Sequence, residues 1–178
     1  MFIRFNESLS LMPIQMKLAV ISPVLLAVCV FLFAEDDGLK PIFDGKTLEG
    51  WVREGGEADY KVEDGAVVGT AVPKTPNSFL CTRKQYGDFV LELEFKVDPS
   101  LNSGVQLRSH VYEKDTIVEI RGKKRKKKAG TVYGYQVEID PSERAYSGGI
   151  YDEARRGWLN DLKNNEAARK AFRQGGWN

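Results

Sequence analysis

The sequence predicts an all-β sandwich or jelly roll, and three observations support this fold class. Residues 89–97 alternate apolar and charged side chains, which is the period of a half-buried strand. An Asp-Gly pair at residues 64–65 separates two apolar stretches and predicts a β-hairpin. Only residues 160–173 carry a convincing helical pattern, within a chain that contains 17 glycines. Many short strands with turn signals and a single helix are typical of a sandwich or jelly roll.

The first half of the chain is predicted to consist of strands joined by turns. Pro41–Trp51 leads through a turn into a first strand, and Tyr60–Gly69 forms the hairpin. Phe79–Arg83 is a short strand, and Phe89–Val97 has the clearest alternation. The side chains predicted to form the core are Trp51, Phe89, Leu91, Leu93, Phe95 and Val97.

The second half continues with strands over 104–110, 116–121 and 130–139, the last two on either side of a basic loop. Residues 160–173 form a helix that is carried within a loop and ends at Gly175-Gly176. Alternation in the strand 104–110 predicts one side made of Val105, Leu107 and Ser109 and another made of Gln106, Arg108 and His110.

An apolar segment near the N-terminus predicts export. Leu18–Ala34 is an uninterrupted apolar run after Met16-Lys17, and Glu35-Asp36-Asp37 follows it at once. This order is typical of a secretory signal peptide. A retained membrane anchor stays open, because the run reaches the lower limit of a bilayer span. The expected organisation is residues 1–34 as signal or anchor and residues 35–178 as one periplasmic or extracellular domain, with no other membrane contact.

Composition argues against several kinds of chemistry. His110 is the only histidine of the 178 residues, which argues against a histidine-rich zinc site and leaves a Ser-His-Asp triad a single candidate base. No glycine loop for phosphates is present. We therefore expect neither a cofactor nor a bound metal. Removal of the segment that contains Cys29 leaves only Cys81, which predicts a fold without an internal disulfide.

Residues 121–128 form a strongly basic run in a chain whose formal net charge is only +1. Such a run can bind acidic polysaccharide, anionic lipid or nucleic acid. Export and the lack of interleaved aromatic residues argue against nucleic acid. The favoured interpretation is a solvated hairpin tip on an otherwise acidic body.

Two predicted strands carry polar side chains on one face, next to a loop rich in aromatic and charged residues. Plain solvent exposure is one explanation of such a face. The other is a carbohydrate site, because such sites use planar hydrogen-bonding side chains beside an aromatic platform. The residues expected to contribute are Gln106, Arg108, Gln136, Glu138, Asp140, Tyr151, Asp152, Arg155, Arg156 and Trp158.

The motifs Tyr86–Phe95, Asn102–Arg108, Gly134–Asp140 and Gly148–Tyr151 together resemble the 3-keto-disaccharide hydrolase family. The resemblance covers nearly all of residues 40–178. It implies a concanavalin A-like jelly roll and cleavage of glycosides that are oxidised at C3 of the sugar. It also implies further strands beyond residue 178, so we expect the domain to be truncated at its C-terminus.

This activity suggests roles for the predicted residues. A ketone at C3 acidifies the hydrogen at C2, so a base can remove it and the group at C1 can leave. Glu138 or Asp140 is the expected base, and Arg108 is expected to hold the enolate oxygen. Tyr151 or Asp152 is the expected proton donor. The expected substrate-binding residues are Gln106, Gln136, Tyr151, Asp152, Arg155 and Trp158.

Two alternatives remain open at this point. Glu138, Asp140 and Glu143 spell the E-x-D-x-x-E pattern of retaining jelly-roll endo-glucanases. Pro141 argues against that assignment, because it ends the strand before Glu143 can join the same face. A non-catalytic, lectin-like carbohydrate-binding domain is the other alternative.

Overall fold

A computed structural model describes residues 2–4 and 39–178 of the chain. The predicted apolar segment Leu18–Ala34 lies outside these residues, so the signal or anchor stays a prediction. Within the described ranges, no helix is long and apolar enough to cross a membrane.

The described residues form twelve strands and one helix. The strands of the first half are β1 (Phe2–Arg4), β2 (Trp51–Gly55), β3 (Asp59–Glu63), β4 (Ala66–Thr70), β5 (Ser78–Thr82) and β6 (Glu94–Lys96). The elements of the second half are β7 (Ser103–Val111), β8 (Thr116–Ile120), β9 (Lys123–Lys127), β10 (Val132–Ile139), β11 (Ile150–Glu153), β12 (Gly157–Asn160) and α1 (Glu166–Ala171).

All strand pairs in the described part of the chain are antiparallel. One sheet has the order β3-β4-β1-β6, and another has the order β12-β11-β10-β7. Two further pairs, β2-β5 and β8-β9, complete the arrangement. The predicted fold class is confirmed, because these sheets and the single short helix are those of an all-β jelly-roll domain.

The hairpin predicted at residues 60–69 is confirmed as β3 and β4. Asp64 and Gly65 form its turn with φ angles of 48° and 73°, which a two-residue turn between right-twisted strands requires. Ala66, Val67 and Val68 follow directly and are buried, so the turn places the start of β4 in the core. The strand predicted at residues 79–83 is confirmed as β5.

The prediction for Phe89–Val97 is only partly correct. Val97 is buried, whereas Leu91, Leu93 and Phe95 are half-buried, and only Glu94–Lys96 form a ladder. Phe89 was predicted to lie in the core and is 44% exposed. Residues 89–93 have no ladder partner among the described residues, so their alternation does not bury Phe89. Trp51, also predicted as core, is half-buried.

The basic run is a strand rather than a loop. Arg121 and Gly122 form a tight turn with φ angles of 50° and 74°, and Lys123–Lys127 pairs with Thr116–Ile120. The sequence does not predict this strand, because lysine has low β propensity. The turn residues themselves allow the hairpin, and the side chains of β9 project into solvent along most of its length.

The helix predicted over 160–173 is shorter in the structure. Residues 157–160 form β12, and α1 begins only at Glu166, where Asn165 caps it by accepting a hydrogen bond from the Ala168 amide at 3.0 Å. Phe172 is extended with a ψ of 131°, which ends the helix before Gly175. The helix prediction, which was based on the alanines and spaced charges, is therefore correct only for the centre of the predicted range.

Candidate functional site

The sheet β12-β11-β10-β7 brings several predicted site residues to one face. Gln136 of β10 lies directly opposite Gln106 of β7 and Tyr151 of β11, and Tyr151 lies opposite Trp158 of β12. Directly paired residues of antiparallel strands point to the same side. Glu138 follows Gln136 by two positions and shares that side. We call the side defined by Gln106, Gln136, Glu138, Tyr151 and Trp158 the polar face.

A continuous chain of hydrogen bonds crosses the polar face. Ser109 Oγ donates to Gln106 Oε1 at 2.8 Å, and Gln106 Nε2 donates to Gln136 Oε1 at 3.1 Å. Gln136 Nε2 then donates to Glu138 Oε2 at 2.8 Å, while Asn102 Nδ2 donates to Glu138 Oε1 at 3.1 Å. Glu138 is 3% exposed, so these amides replace water around its carboxylate. As a carboxylate it accepts at both oxygens and completes the chain.

A β-bulge in β7 overturns the predicted alternation of this strand. His110 pairs with Tyr133 and Leu107 pairs with Tyr135, so Arg108 and Ser109 together face the single residue Gly134. The extra residue shifts the parity by one position. Ser109 was predicted to lie on the other side of the strand from Gln106, yet it is hydrogen-bonded to Gln106. His110 lies with Tyr133 on the face opposite the polar face.

Gly134 makes the bulge possible. A Cβ at this position would lie 2.6 Å from Ser109 Oγ and 2.8 Å from Ser109 Cα, which is too close for any other residue. An isolated glycine within an alternating strand pattern is a known signal of a bulge. Gly134 in the sequence therefore already indicated that the alternation of side chains is interrupted here.

Arg108 is the residue that takes up the strain of the bulge, with a φ of 52°. Its Nη2 lies 3.1 Å from the exposed carboxylate of Asp88, and its guanidinium lies 5.7 Å from the centre of the Phe89 ring. Arg108 therefore leaves the regular alternation and turns toward residues 86–89.

Asp152 and Arg155 are not on the polar face. Asp152 pairs with Tyr135, which is one position from Gln136 and so points to the opposite side of the sheet. Asp152 is 0% exposed and accepts from Nε of Arg155 at 2.8 Å and from Nε of Arg156 at 2.5 Å. Burial raises the pKa of Asp152, but the hydrogen bonds from the two arginines outweigh burial and lower it. Asp152, expected as a proton donor and substrate-binding residue, therefore lies on the other side of the sheet from Tyr151.

The two arginines also cover tyrosines of the opposite face. The Arg155 guanidinium lies 5.5 Å from the ring centres of both Tyr133 and Tyr135, and that of Arg156 lies 5.8 Å from the Tyr135 ring. Arg155, which was predicted to contact the substrate, thus lies on the other side of the sheet from the polar face.

Asp140 lies just beyond the end of β10 and organises the following turn. Its Oδ1 accepts from the Ser142 amide at 3.0 Å, and Arg144 Nη2 lies 3.0 Å from its Oδ2. The contact between Arg144 and Asp140 Oδ2 is an ion pair, but its angle is not that of a hydrogen bond, so this oxygen accepts none from the described residues. Glu143 is exposed in the same turn, so it does not share a face with Glu138 as a retaining endo-glucanase requires.

Aromatic rings line the outer part of the polar face. Trp158 contacts Tyr151 and Tyr146 edge-to-face, with ring centres 5.2 Å and 5.1 Å apart. The pKa of Tyr151 is raised by burial first and then by the charges of Glu153 and Glu138, so the phenol keeps its proton at neutral pH.

Glu153 also belongs to the polar face, although it was not among the predicted site residues. It pairs with Gly134 and follows Tyr151 by two positions, which is the signal that would have found it. Burial raises the pKa of Glu153, and a hydrogen bond from Asn77 at 3.5 Å opposes that change. Glu153 lies four positions along β11 from the residue opposite Glu138, about 13 Å away, so the two do not form a retaining pair.

A wide cavity of about 1010 Å³ opens beside the polar face and extends to the β2-β5 pair. Its wall includes Asn102, Gln106, Arg108 and Gln136, whereas Glu138 is hydrogen-bonded to two of these residues and is not part of the wall. Tyr60, Tyr86 and Phe89 add aromatic surface to the same cavity. Amides, an arginine and aromatic rings around one cavity are suited to binding a sugar. Among residues 39–178, no cluster of histidine, cysteine and carboxylate side chains could hold a metal ion.

These features define an all-β domain with a polar, aromatic-edged sheet face that is suited to binding carbohydrate. A comparison with protein families matches residues 38–178 to the 3-keto-alpha-glucoside-1,2-lyase-like domain, and the chain belongs to that family. The family resemblance of the sequence motifs is thereby confirmed. At family level the protein is a carbohydrate-active enzyme. No curated protein matches the chain.

Proposed function

We propose that the polar face cleaves the glycosidic bond of 3-keto-glycosides by elimination. A base takes the proton from C2, and the C2–H electron pair forms the enolate with the C3 carbonyl. The enolate then reforms the carbonyl and expels the oxygen at C1, which takes a proton from an acid. Elimination alone makes the enzyme a lyase, and later addition of water to the unsaturated sugar makes the net reaction a hydrolysis.

Glu138 is the base in this proposal. The observation that carries the assignment is the pair of amide donors, Asn102 and Gln136, that hold both oxygens of its carboxylate at the centre of the polar face. A carboxylate held in one orientation is suited to accept a proton from a bound sugar. Asp140 is less suited to this role, because Arg144 and the Ser142 amide already hold its carboxylate in a turn.

Tyr151 is the acid. It belongs to the strand next to Glu138, at a diagonal position for which residues are separated by about 7–8 Å at the backbone. The raised pKa of Tyr151 keeps the phenol protonated, as a donor to the leaving oxygen requires. Asp152, the other donor considered, lies across the sheet and is paired with two arginines.

Arg108 holds the enolate oxygen. It borders the same cavity as Gln106 and Gln136, and its ion pair is with a fully exposed Asp88. Such exposed pairs contribute little, so the guanidinium can exchange Asp88 for a substrate oxygen. Substrate contacts come from Gln106, Gln136 and Trp158.

The test uses p-nitrophenyl 3-keto-α-glucoside and its unoxidised parent glucoside. Elimination predicts release of p-nitrophenol from the ketone only, a slower release when C2 carries deuterium, and an unsaturated sugar as first product. Cleavage of the parent glucoside at a similar rate would show that the ketone has no role and would refute the proposal.

A second candidate is carbohydrate binding without catalysis. The observation that favours it is the burial of Glu138, which is hydrogen-bonded to Asn102 and Gln136 and is not part of the cavity wall. Under this alternative the chain binds the ketone and the parent glucoside equally and releases no p-nitrophenol from either.

We also propose that the protein acts outside the cytoplasm, on the basis of the apolar segment Leu18–Ala34. N-terminal sequencing of secreted material tests this. A mature chain that starts near Glu35 supports a cleaved signal, and a chain that still carries the segment and needs detergent for extraction supports an anchor.

A further inference from the structure

The hairpin β8-β9 separates its cations into two rows. Cross-strand pairing places Lys123 opposite Ile120, Arg125 opposite Val118 and Lys127 opposite Thr116. Paired residues point to the same side, so Lys123, Arg125 and Lys127 form one row over uncharged neighbours. We call this the inner row. Side chains alternate along a strand, so the outer row consists of Lys124, Lys126 and Lys128.

Acidic residues accompany only the outer row. Lys126 Nζ lies 3.1 Å and Lys128 Nζ lies 3.6 Å from the Asp115 carboxylate. Glu119 lies directly opposite Lys124. No ion pair to the inner row is found in the part of the chain that the structure describes. The inner row therefore carries positive charge that no ion pair in this part of the chain neutralises, although Lys127 is close enough to the carboxylate of Glu153 to act on its pKa.

The inner row borders the polar face. Arg121, at the tip of the hairpin, brings Nη2 to 3.5 Å from the backbone oxygen of Trp158. Lys127 is half-buried, and its charge acts to lower the pKa of Glu153 on the polar face, against the larger effect of burial. The hydrogen bond of Arg121 thus brings the tip of the hairpin to β12, and the effect of Lys127 on Glu153 indicates that the other end of the inner row is near β11. Lys123 and Arg125 alternate with the outer row in the same way as Lys127, so they project on the same side of β9, where both are exposed.

We propose that the inner row and the polar face together bind an anionic polysaccharide, whose carboxylate or sulfate groups contact Lys123, Arg125 and Lys127. This inference rests on one part of the proposed function, namely that the polar face binds a sugar. Cations spaced by about 7 Å along one strand present a line of charge to a linear polyanion. A flat anionic membrane would instead meet the outer row, because one end of the inner row is near β11.

The probe is sodium alginate, a polyuronate, and the protein is the full 178-residue chain. One variant replaces the three cations of the inner row with serine, and a matched variant replaces the three of the outer row, so that both lose the same charge. We expect the inner-row variant to bind alginate at least about tenfold more weakly than wild type and the outer-row variant less than about threefold more weakly. Neutral dextran should bind all three proteins equally. Urea unfolding of each variant checks that the domain is intact, and Arg125→Ser alone repeats the test with the smallest perturbation.

Equal losses in the two variants would overturn the proposal, because net charge alone would then explain binding. Tighter binding to phosphatidylserine vesicles or to duplex DNA than to alginate, at equal ionic strength, would overturn it as well. The readout is binding, so it is independent of turnover. Alginate binding that depends on the inner row in a protein without activity on 3-keto-glycosides would refute only the proposed function.

Discussion

Ser109 donates a hydrogen bond to Gln106 at 2.8 Å although regular alternation would place these residues on opposite sides of β7. The bulge at Arg108 and Ser109 removes this conflict by adding one residue opposite Gly134. Because of it, a serine rather than an arginine joins the amide chain that ends at Glu138. The composition of the polar face therefore depends on one inserted position.

Glu138→Gln tests the base. An amide at this position can accept from only one of its two partners, because its NH₂ group meets the NH₂ group of Asn102 or of Gln136. We expect kcat on a 3-keto-glycoside to fall by about 10² or more, the usual scale for loss of a general base. The free energy of unfolding should fall by about 1–2 kcal/mol, since one buried donor loses its acceptor. Steady-state kinetics and urea unfolding measure the two effects.

The matched control is Glu143→Gln, which makes the same change at an exposed position in the turn after β10. It should leave both turnover and stability close to wild type. Full turnover by Glu138→Gln would transfer the base role to another carboxylate, with Asp140 the next to test.

Arg108→Gly separates catalysis from stability. Glycine relieves the left-handed φ of 52° and removes an exposed ion pair with Asp88, so the free energy of unfolding should change by less than about 1 kcal/mol. Loss of the group that holds the enolate should lower kcat by about 10²-fold. Asp88→Asn removes the ion pair alone and should keep turnover. Unchanged kcat in the glycine variant would exclude Arg108 from the reaction.

Gly134→Ala tests the bulge. The added Cβ would meet both Cα and Oγ of Ser109, so β7 and β10 must separate or slip. We expect a loss of at least about 2 kcal/mol in the free energy of unfolding. Gly87→Ala is the control, because nothing lies within 4 Å of its added Cβ, and it should change stability by less than about 0.5 kcal/mol. Equal stability of the two variants would contradict the close approach at Gly134.

Asp152→Asn tests the buried ion pairs on the opposite face. At neutral pH the substitution should lower the free energy of unfolding by about 1–3 kcal/mol, because Arg155 and Arg156 lose their charged partner. The pKa of Asp152 is lower in the folded than in the unfolded state, where it is about 3.9. Its contribution is therefore present above that pH and is lost as pH falls through the folded value.

The difference between wild type and Asp152→Asn should accordingly shrink when urea unfolding is repeated near pH 3. Asp115→Asn, which removes an exposed partner of Lys126 and Lys128, should have little effect at either pH. A difference between wild type and Asp152→Asn that is the same at both pH values would mean that ionisation of Asp152 does not contribute to stability.

The sequence alone determined the features that depend on neighbouring residues. The Asp64-Gly65 turn, the strand around Gln136 and the all-β class follow from local turn chemistry and period-2 alternation, and each is present in the structure. The same alternation placed Gln136 and Glu138 on one face correctly, because β10 has no inserted residue. It predicted wrongly that this face lies opposite the core, since Gln136 and Glu138 are 9% and 3% exposed whereas Tyr135 on the other face is 38% exposed.

Only the tertiary structure decided which strands share a face and where alternation fails. The parity of Arg108, Ser109 and His110 depends on the partner strand, since a bulge is a property of two strands and is not contained in the alternation of one. In the sequence Asp152 is adjacent to Tyr151, which predicts that the two share a site. In the structure Asp152 pairs with Tyr135, so its side chain lies on the other side of the sheet, beside the two arginines. Local pattern therefore predicted the strands, whereas register between strands chose the residues of the site.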